Sequence, residues 1–230
     1  MASLQQAAVL ELIYFDVMAR GLAPACALEL SGLPWARRAS PDRMALKADH
    51  TTYPFGQLPV LVHGEVVVAQ STAIANYIGR QARMLGAGEL EHTTSDMLIA
   101  AFEVIYQLLT DGVPTAYAKL GERRKGDFDF YRKTLDELLP VQLLALERLL
   151  AARHGKWSAA ENTVGEIYLA TLLYQIRLVH ASCLDATPLL KSCTERMLAR
   201  PELQLVISGR SRYGHWVQYF ISAEPPLAPK

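Results

Sequence analysis

Apolar residues change their spacing near residue 85. Before that point, short apolar runs such as residues 9–15 and 35–39 alternate with segments of helical spacing. After it, apolar residues recur every three or four positions over long stretches, as in helices that bury one face. The pattern predicts strands and helices in the first half and helices alone in the second. Because the helical half needs cover on one side, we expect the two halves to form one compact unit.

Turn and cap residues divide the first half into elements. Pro24 fits the first turn of a helix and Gly32 fits its end, Ser40-Pro41-Asp42 fits the cap and first turn of a short helix, and His63-Gly64 forms a two-residue turn. The predicted strands are residues 9–15, 35–39, 58–62 and 65–69, and the predicted helices are residues 22–30, 40–48 and 71–83. This strand–helix–strand, helix, strand–strand–helix order is that of a thioredoxin-like α/β domain covering residues 8–84.

The second half follows a glycine-containing linker, residues 85–91, and extends over residues 92–230. Its predicted helices are residues 92–119 with a bend near 112–114, residues 127–153 with a bend at Pro140, and two that begin at Pro188 and Pro201. Thr163 and Glu166 form a capping-box pattern at the start of a further helix that reaches residue 181. From Gly209 the chain continues as an aromatic tail.

Composition excludes several classes of function. The 230 residues contain 23 Lys plus Arg and 23 Asp plus Glu, which argues against a broad surface for nucleic acid or acidic membranes. Three cysteines without a CxxC pair predict a reducing compartment and no zinc site, and we expect no metal. The sequence has no secretory signal pattern and no apolar run of membrane length, so we expect a cytoplasmic protein.

Residues 54–80 leave two sets of unpaired backbone groups close together. One is the strand start at Leu58-Pro59, and the other is the first turn of the helix that begins at Ser71. A helix N-terminus carries partial positive charge and free N–H groups, which favour a carboxylate. Together the two sets can hold an extended peptide that has a free carboxylate.

This stretch, PFGQLPVLVHGEVVVAQSTAIANYIGR, resembles the glutathione site of the cytosolic glutathione transferases. The run QSTAIANYI is similar to the family's usual QSLAIARYL, and the match is closest to the sigma-like members that use a tyrosine. The resemblance implies a thioredoxin-like domain followed by an all-α domain, glutathione as co-substrate, and a homodimer. It also implies conjugation of the glutathione thiolate to a small apolar electrophile.

Two residues of the first strand and the following loop match the family's catalytic pattern. Tyr14 stands at the strand end, where tyrosine-type relatives point a hydroxyl at the glutathione sulfur, although a tyrosine there is also compatible with a role at the edge of the core. Relatives continue with Tyr-Phe-x-x-Arg-Gly-Arg-Ala-Glu. Arg20 keeps the second arginine, while Met18 and Leu22 replace the first arginine and the acid.

The resemblance assigns further residues to glutathione. Pro59 would follow a cis peptide bond, which would turn the backbone of Leu58 toward the cysteinyl unit. Lys47 or, less well matched, His50 would bind the glycine carboxylate. The remaining expected contacts are Gln70 and Ser71 at the γ-glutamyl carboxylate, Gln57 near the same end, Arg43 in place of the usual tryptophan, and Glu103 at the amine of glutathione in the partner subunit.

The electrophile pocket is predicted from the long helix after the linker. Tyr106, Thr110 and Tyr117 lie there, some at a spacing that shares one face, and they can form a pocket with Val17, Met18 and Trp216. Aromatic residues at this spacing also occur as plain core. Cys26 lies inside a predicted helix and is not expected to be a nucleophile.

Three alternatives to conjugation remain open. The first is a glutathione-dependent isomerase of the prostaglandin type, which would use the same thiolate. The second is a non-catalytic glutathione-binding or structural protein, favoured by the altered residues between Met18 and Leu22. The third is a protein-interaction module without a glutathione site.

Overall fold

A sheet of four strands organises the first half of the computed structural model, which describes residues 9–112 and 128–220. The strands are β1 (Leu10–Tyr14), β2 (Trp35–Ala39), β3 (Val60–His63) and β4 (Val66–Ala69), in the order β2-β1-β3-β4. β1 is parallel to β2 and antiparallel to β3, and β3 and β4 form a hairpin. All four strands lie within one or two residues of their predicted bounds.

The helices of this half begin and end near the predicted signals. They are α1 (Leu22–Ser31), α2 (Arg43–Ala48) and α3 (Ser71–Ala82). The Asp42 carboxylate caps α2 by accepting the backbone N–H of Ala45 at 2.8 Å, and Gly32 ends α1 with a φ of 67°. The thioredoxin-like order of elements is therefore confirmed.

The regular elements in the described part of the second half are all helices. They are α4 (Glu89–Gly112), α5 (Phe128–Lys133), α6 (Leu139–Ala152), α7 (Val164–Arg177), α8 (Pro188–Leu198) and α9 (Pro201–Ile207). The starts of α7, α8 and α9 are confirmed, whereas α4 begins three residues earlier than predicted and α7 ends four residues earlier. Tyr117 and the predicted bend at residues 113–114 lie outside the described residues.

The predicted helix over residues 127–153 forms as consecutive helical segments, and its backbone is irregular next to Pro140. The irregular backbone lies before it, in a π-helical segment at Thr134–Leu138 between α5 and α6. Pro140 is the second residue of α6 and follows this segment without a break, so its missing N–H removes one donor from a continuous helical ladder.

One continuous apolar core joins the two halves. α1 packs on α7 and α9, and α3 packs on α4 and α7. α7 approaches α4 so closely that a Cβ on Gly165 would lie 2.3 Å from the Ser95 carbonyl oxygen, so only glycine fits there. The capping box is formed by Thr163 and Glu166, and burial raises the pKa of the Glu166 carboxyl. Among the described helices, none is long and apolar enough to cross a lipid bilayer.

Candidate active site

Sheet register brings three predicted site segments to one end of the sheet. Ile13 lies opposite Val60, and Val60 lies opposite Ala69. Since both pairings are antiparallel, the next residues along the ladder are Tyr14, Pro59 and Gln70. The end of β1, the residues before β3 and the start of α3 therefore lie side by side at this end.

Tyr14 is held in place by the turn that follows β1. Its side chain is only 5% exposed, and its phenolic oxygen accepts the backbone N–H of Arg20 at 3.1 Å. The ring packs directly on Gly21, where a Cβ would lie 2.1 Å from a ring carbon. A glycine is thus required at position 21 for this ring orientation, and sequence reasoning missed it because the contact depends on how the turn folds back.

The Arg20 side chain joins the two halves of the molecule. Its guanidinium forms an ion pair with Glu103 of α4, and both side chains are about three-quarters buried. The same guanidinium lies over the ring of Tyr106, 4.1 Å from the ring centroid. Burial raises the pKa of the Tyr106 phenol well above its usual range, so this tyrosine is neutral and presents its π face to the cation. Glu103 is therefore paired within its own chain.

The Leu58-Pro59 peptide bond is cis, as the resemblance implies. Leu58 is half-buried, and Gln57 beside it is exposed. Lys47 reaches this loop from α2, because its ammonium donates to the Gly56 carbonyl at 2.9 Å. The Lys47 ammonium thus contacts the chain two residues before Leu58, whose backbone was predicted to pair with glutathione.

Arg43 and His50 are the two other residues of this region that were predicted to bind glutathione. Arg43 begins α2 and His50 follows it, and both are exposed. The structure gives neither of them a contact with the loop at Gly56, in contrast to Lys47.

The start of α3 combines an unusual backbone with an anchored first turn. Gln70 has a φ of 76°, a positive value that is uncommon for residues other than glycine and persists only where surrounding contacts hold it. Ser71 is buried, and its carbonyl accepts the hydroxyl of the buried Tyr168 at 3.3 Å. The helix N-terminus is thereby fixed against α7, a contact that no local sequence signal indicated.

The predicted electrophile-pocket residues are brought together but covered. Val17, Met18, Tyr106 and Trp216 are each at most 9% exposed. Thr110 is half-buried on α4, and its hydroxyl donates to the Gln107 carbonyl.

The cover is the C-terminal segment, residues 213–220. Val217 pairs with Val17 as a parallel β-bridge, and its carbonyl accepts the N–H of Met18 at 2.9 Å. Tyr219 and Phe220 lie against the ring of Tyr106, with centroids 6.1 and 5.6 Å away. The tail beyond Gly209 thus packs on the loop after β1, at least as far as residue 220.

Arg37 of β2 anchors the start of this segment, and sequence reasoning had not singled it out. It pairs with Asp16, donates to the Tyr213 carbonyl at 3.0 Å and lies over the Tyr213 ring. The Tyr213 ring stacks in turn on Trp216, with centroids 3.6 Å apart.

Neither Cys26 nor the cavity between α7 and α8 offers a second reactive centre. Burial raises the pKa of the Cys26 thiol far above its usual range, in agreement with the expectation that it is not a nucleophile. A cavity of about 170 Å³ lies between α7 and α8, but Arg196 and Glu161 on its wall pair with each other at 2.5 Å. Within the described residues, no group of three or more His, Cys, Asp or Glu side chains is arranged to hold a metal ion.

Comparison with known proteins identifies the family. Residues 11–80 match the model of the glutathione S-transferase N-terminal domain. Glutathione S-transferase 2 of Onchocerca volvulus is 30% identical over 173 residues, which cover 73% of this chain and 76% of that protein.

Solved structures share the whole fold. A Pi-class glutathione S-transferase of Onchocerca volvulus superposes with a TM-score of 0.74 at 24% identity, over 87% of this chain and 93% of that one. The prostaglandin synthase D of Nilaparvata lugens gives a TM-score of 0.71 at 22% identity, over 88% of this chain and 99% of that one. The predicted architecture, a thioredoxin-like domain followed by a helical region, is confirmed. The chain belongs to the glutathione S-transferase family and is an enzyme that uses glutathione as a substrate.

Proposed function

We propose that this transferase is of the tyrosine type, with the hydroxyl of Tyr14 donating to the glutathione sulfur and stabilising its thiolate. The observation that carries the proposal is the register that sets Tyr14 beside Pro59 and Gln70 at one end of the sheet. The thiolate then forms a bond to the electrophilic carbon of a small apolar substrate, and a leaving group departs or the resulting anion is protonated.

The energy required is within the reach of one hydroxyl. A free thiol has a pKa of about 8.5, so only a few per cent is thiolate at neutral pH. Lowering that pKa by about two units requires roughly 2.7 kcal/mol of preference for the thiolate. A single hydrogen bond to a charged group contributes about 1.5–3 kcal/mol. The guanidinium of Arg20 lies over the Tyr106 ring, and we propose that it adds positive charge near the glutathione sulfur.

Glutathione binding uses backbone groups and a cation. We assign the cysteinyl unit to the main chain of Leu58, next to the cis bond, and the γ-glutamyl carboxylate to the first turn of α3 at Ser71. Lys47 is the best placed cation for the glycine carboxylate, because it already contacts the loop at Gly56. We also assign Gln57 and Gln70 to the γ-glutamyl end of glutathione and Arg43 to one of its carboxylates.

The electrophile reaches its pocket only if the C-terminal segment moves. Val17, Met18 and Tyr106 are buried, so a substrate cannot contact them while residues 213–220, which include Trp216, stay in place. This arrangement favours small apolar electrophiles.

Glutathione-dependent isomerisation is a second candidate, favoured by the shared fold with a prostaglandin synthase D, and it would use the same thiolate.

Quaternary structure, class and compartment belong to the same proposal. A homodimer is supported by an apolar stripe on α4, where Leu90, Met97 and Val104 recur every seven residues and are 68%, 43% and 55% exposed. A second copy of the chain would bring the amine of its glutathione toward Glu103.

The sigma-like class rests on the QSTAIANYI run, and a cytoplasmic location rests on the three free cysteines.

The test is a pH titration of the thiolate absorbance of bound glutathione, in the wild type and in Tyr14→Phe. We expect a thiol pKa about two units below the free value in the wild type and close to it in the variant, with similar glutathione affinity. Equal thiol pKa values in both proteins would remove Tyr14 from its role. Glutathione binding without conjugating activity would favour a non-catalytic protein on the same scaffold.

A further inference from the structure

Gln175 of α7 contacts the turn that carries Arg20, 156 residues earlier in the chain. Its side-chain amide is 1% exposed and donates to the Ala19 carbonyl at 3.1 Å. A weaker approach, at 3.5 Å, is made to the Thr171 carbonyl one turn back in α7. The contact therefore ties the helical half to the loop after β1.

The orientation of this amide is fixed by its neighbours. The amide nitrogen approaches two carbonyl oxygens. In the reverse orientation the Gln175 Oε1 would face these two acceptors, and no hydrogen bond would form. The consequence is that the Gln175 Oε1 is buried and has no hydrogen-bond partner among the described residues. A buried polar atom left without a partner costs free energy, and its presence needs an explanation.

The backbone at the other end of this contact is also unusual. Ala19 is buried and has a φ of 32°, a value that side chains with a Cβ rarely adopt. Such a conformation persists only where surrounding contacts hold it. The Gln175 amide is one contact of that kind.

The two ends of one peptide group connect Gln175 to Tyr14. The Ala19 carbonyl and the Arg20 N–H belong to the same planar unit and point in opposite directions. Gln175 holds the carbonyl, and the Arg20 N–H on the other side donates to the Tyr14 oxygen at 3.1 Å. Rotation of this peptide would break both hydrogen bonds together.

We propose that Gln175 is a positioning residue for thiolate activation. By fixing the Ala19–Arg20 peptide, it keeps an N–H donor on the Tyr14 oxygen. A hydroxyl that accepts a hydrogen bond becomes a better donor, because chained hydrogen bonds polarise one another. The inference rests on the proposed role of Tyr14, and it adds a residue on the opposite side of the turn that touches neither glutathione nor the phenol.

The main test uses Gln175→Met, which removes the donor and keeps a side chain of similar length. We expect the thiol pKa of bound glutathione to rise and kcat/KM below that pKa to fall by about two- to tenfold, the range for one hydrogen bond. Glutathione affinity should stay within about twofold, because Gln175 does not contact the ligand. If Gln175→Met does not fold, Gln175→Asn keeps an amide too short to reach Ala19 and is expected to give the same shift.

A matched control and a double variant separate positioning from stability. Thr171→Val changes a buried hydroxyl of the same helix that donates within α7, to the Tyr168 carbonyl, and it should leave the thiol pKa unchanged. In the Tyr14→Phe background, Gln175→Met should have no further effect on the thiol pKa, since its route to the sulfur is gone.

The outcomes distinguish this inference from the proposed function. A Gln175→Met variant that melts at a lower temperature but keeps the wild-type thiol pKa and pH profile would show a purely structural role. A shift that persists in the Tyr14→Phe background would overturn the route through Tyr14. If the wild type itself does not lower the thiol pKa of bound glutathione, the proposed function fails first.

Discussion

The backbone N–H of Arg20 donates to the phenolic oxygen of Tyr14 at 3.1 Å. The residue that resembles the family's catalytic arginine therefore acts on Tyr14 through its main chain, while its side chain pairs with Glu103. These two roles can be separated by mutation, because a change of side chain leaves the N–H donor in place.

Charge at position 20 can be tested with two substitutions of opposite effect. Arg20→Met removes the cation near the site and should raise the thiol pKa of bound glutathione. Glu103→Gln removes the carboxylate that neutralises this cation and should lower that pKa. We expect each shift to be about half a unit, or roughly threefold in the ratio of thiolate to thiol at a given pH. The thiolate titration measures both, and shifts in the same direction would contradict an electrostatic role of the pair.

Lys47 is expected to contribute to glutathione affinity and not to chemistry. Lys47→Met should raise KM for glutathione by about two- to fivefold, the range for an exposed ion pair, with kcat unchanged. The effect should weaken as salt is added, since exposed charges are screened. Lys156→Met, an exposed lysine of the helical half, is the matched control. Loss of kcat at unchanged KM in Lys47→Met would contradict the assignment.

The apolar stripe on α4 predicts the oligomeric state. Met97→Glu places a charge in the middle of the stripe and should shift the protein from dimer to monomer, as measured by sedimentation velocity. Leu189→Glu introduces the same charge at a similarly exposed apolar residue on α8 and should leave the dimer intact. A wild type that sediments as a monomer at high concentration would exclude the homodimer.

The C-terminal cover predicts a change in substrate range. Phe220 is 1% exposed and packs near the Tyr106 ring, so Phe220→Leu should loosen the cover at a cost of about 1–2 kcal/mol in unfolding free energy. We expect higher kcat/KM for bulky apolar electrophiles and little change for small ones. Leu190→Ala removes buried volume in α8, which packs on α6, α7 and α9, and should not change this selectivity. Equal selectivity in Phe220→Leu and wild type would argue against a covering role.

Cysteine labelling tests whether a protein thiol competes with glutathione. Burial raises the pKa of the Cys183 thiol to about 11, so the thiolate form grows only as the pH approaches that value. At pH 8 the thiolate fraction is about 0.1%, and iodoacetamide labelling should accelerate about tenfold per pH unit up to pH 10. Cys183→Ser should keep full transferase activity. Rapid labelling near neutral pH would contradict the raised pKa of this thiol.

Signals within a few residues of one another were read correctly from the sequence. The capping box at Thr163 and the helix starts at Pro188 and Pro201 formed as predicted, whereas the hairpin turn lies at Gly64-Glu65, one residue after the predicted His63-Gly64. Caps and tight turns depend on side chains and backbone groups at most four positions apart, so a local pattern is enough to specify them. At Pro140 the sequence located an irregular part of a long helix but not its form, a π-helical segment at Thr134–Leu138.

The sequence by itself determined the elements of this protein and, through the run around Gln70-Ser71, its glutathione chemistry. Only the tertiary structure decided which groups surround Tyr14. The Arg20–Glu103 pair spans 83 positions and the Gln175–Ala19 hydrogen bond spans 156. Such contacts depend on how α4 and α7 pack against the turn after β1, and hydrophobic periodicity specifies which face of a helix is buried but not what that face meets.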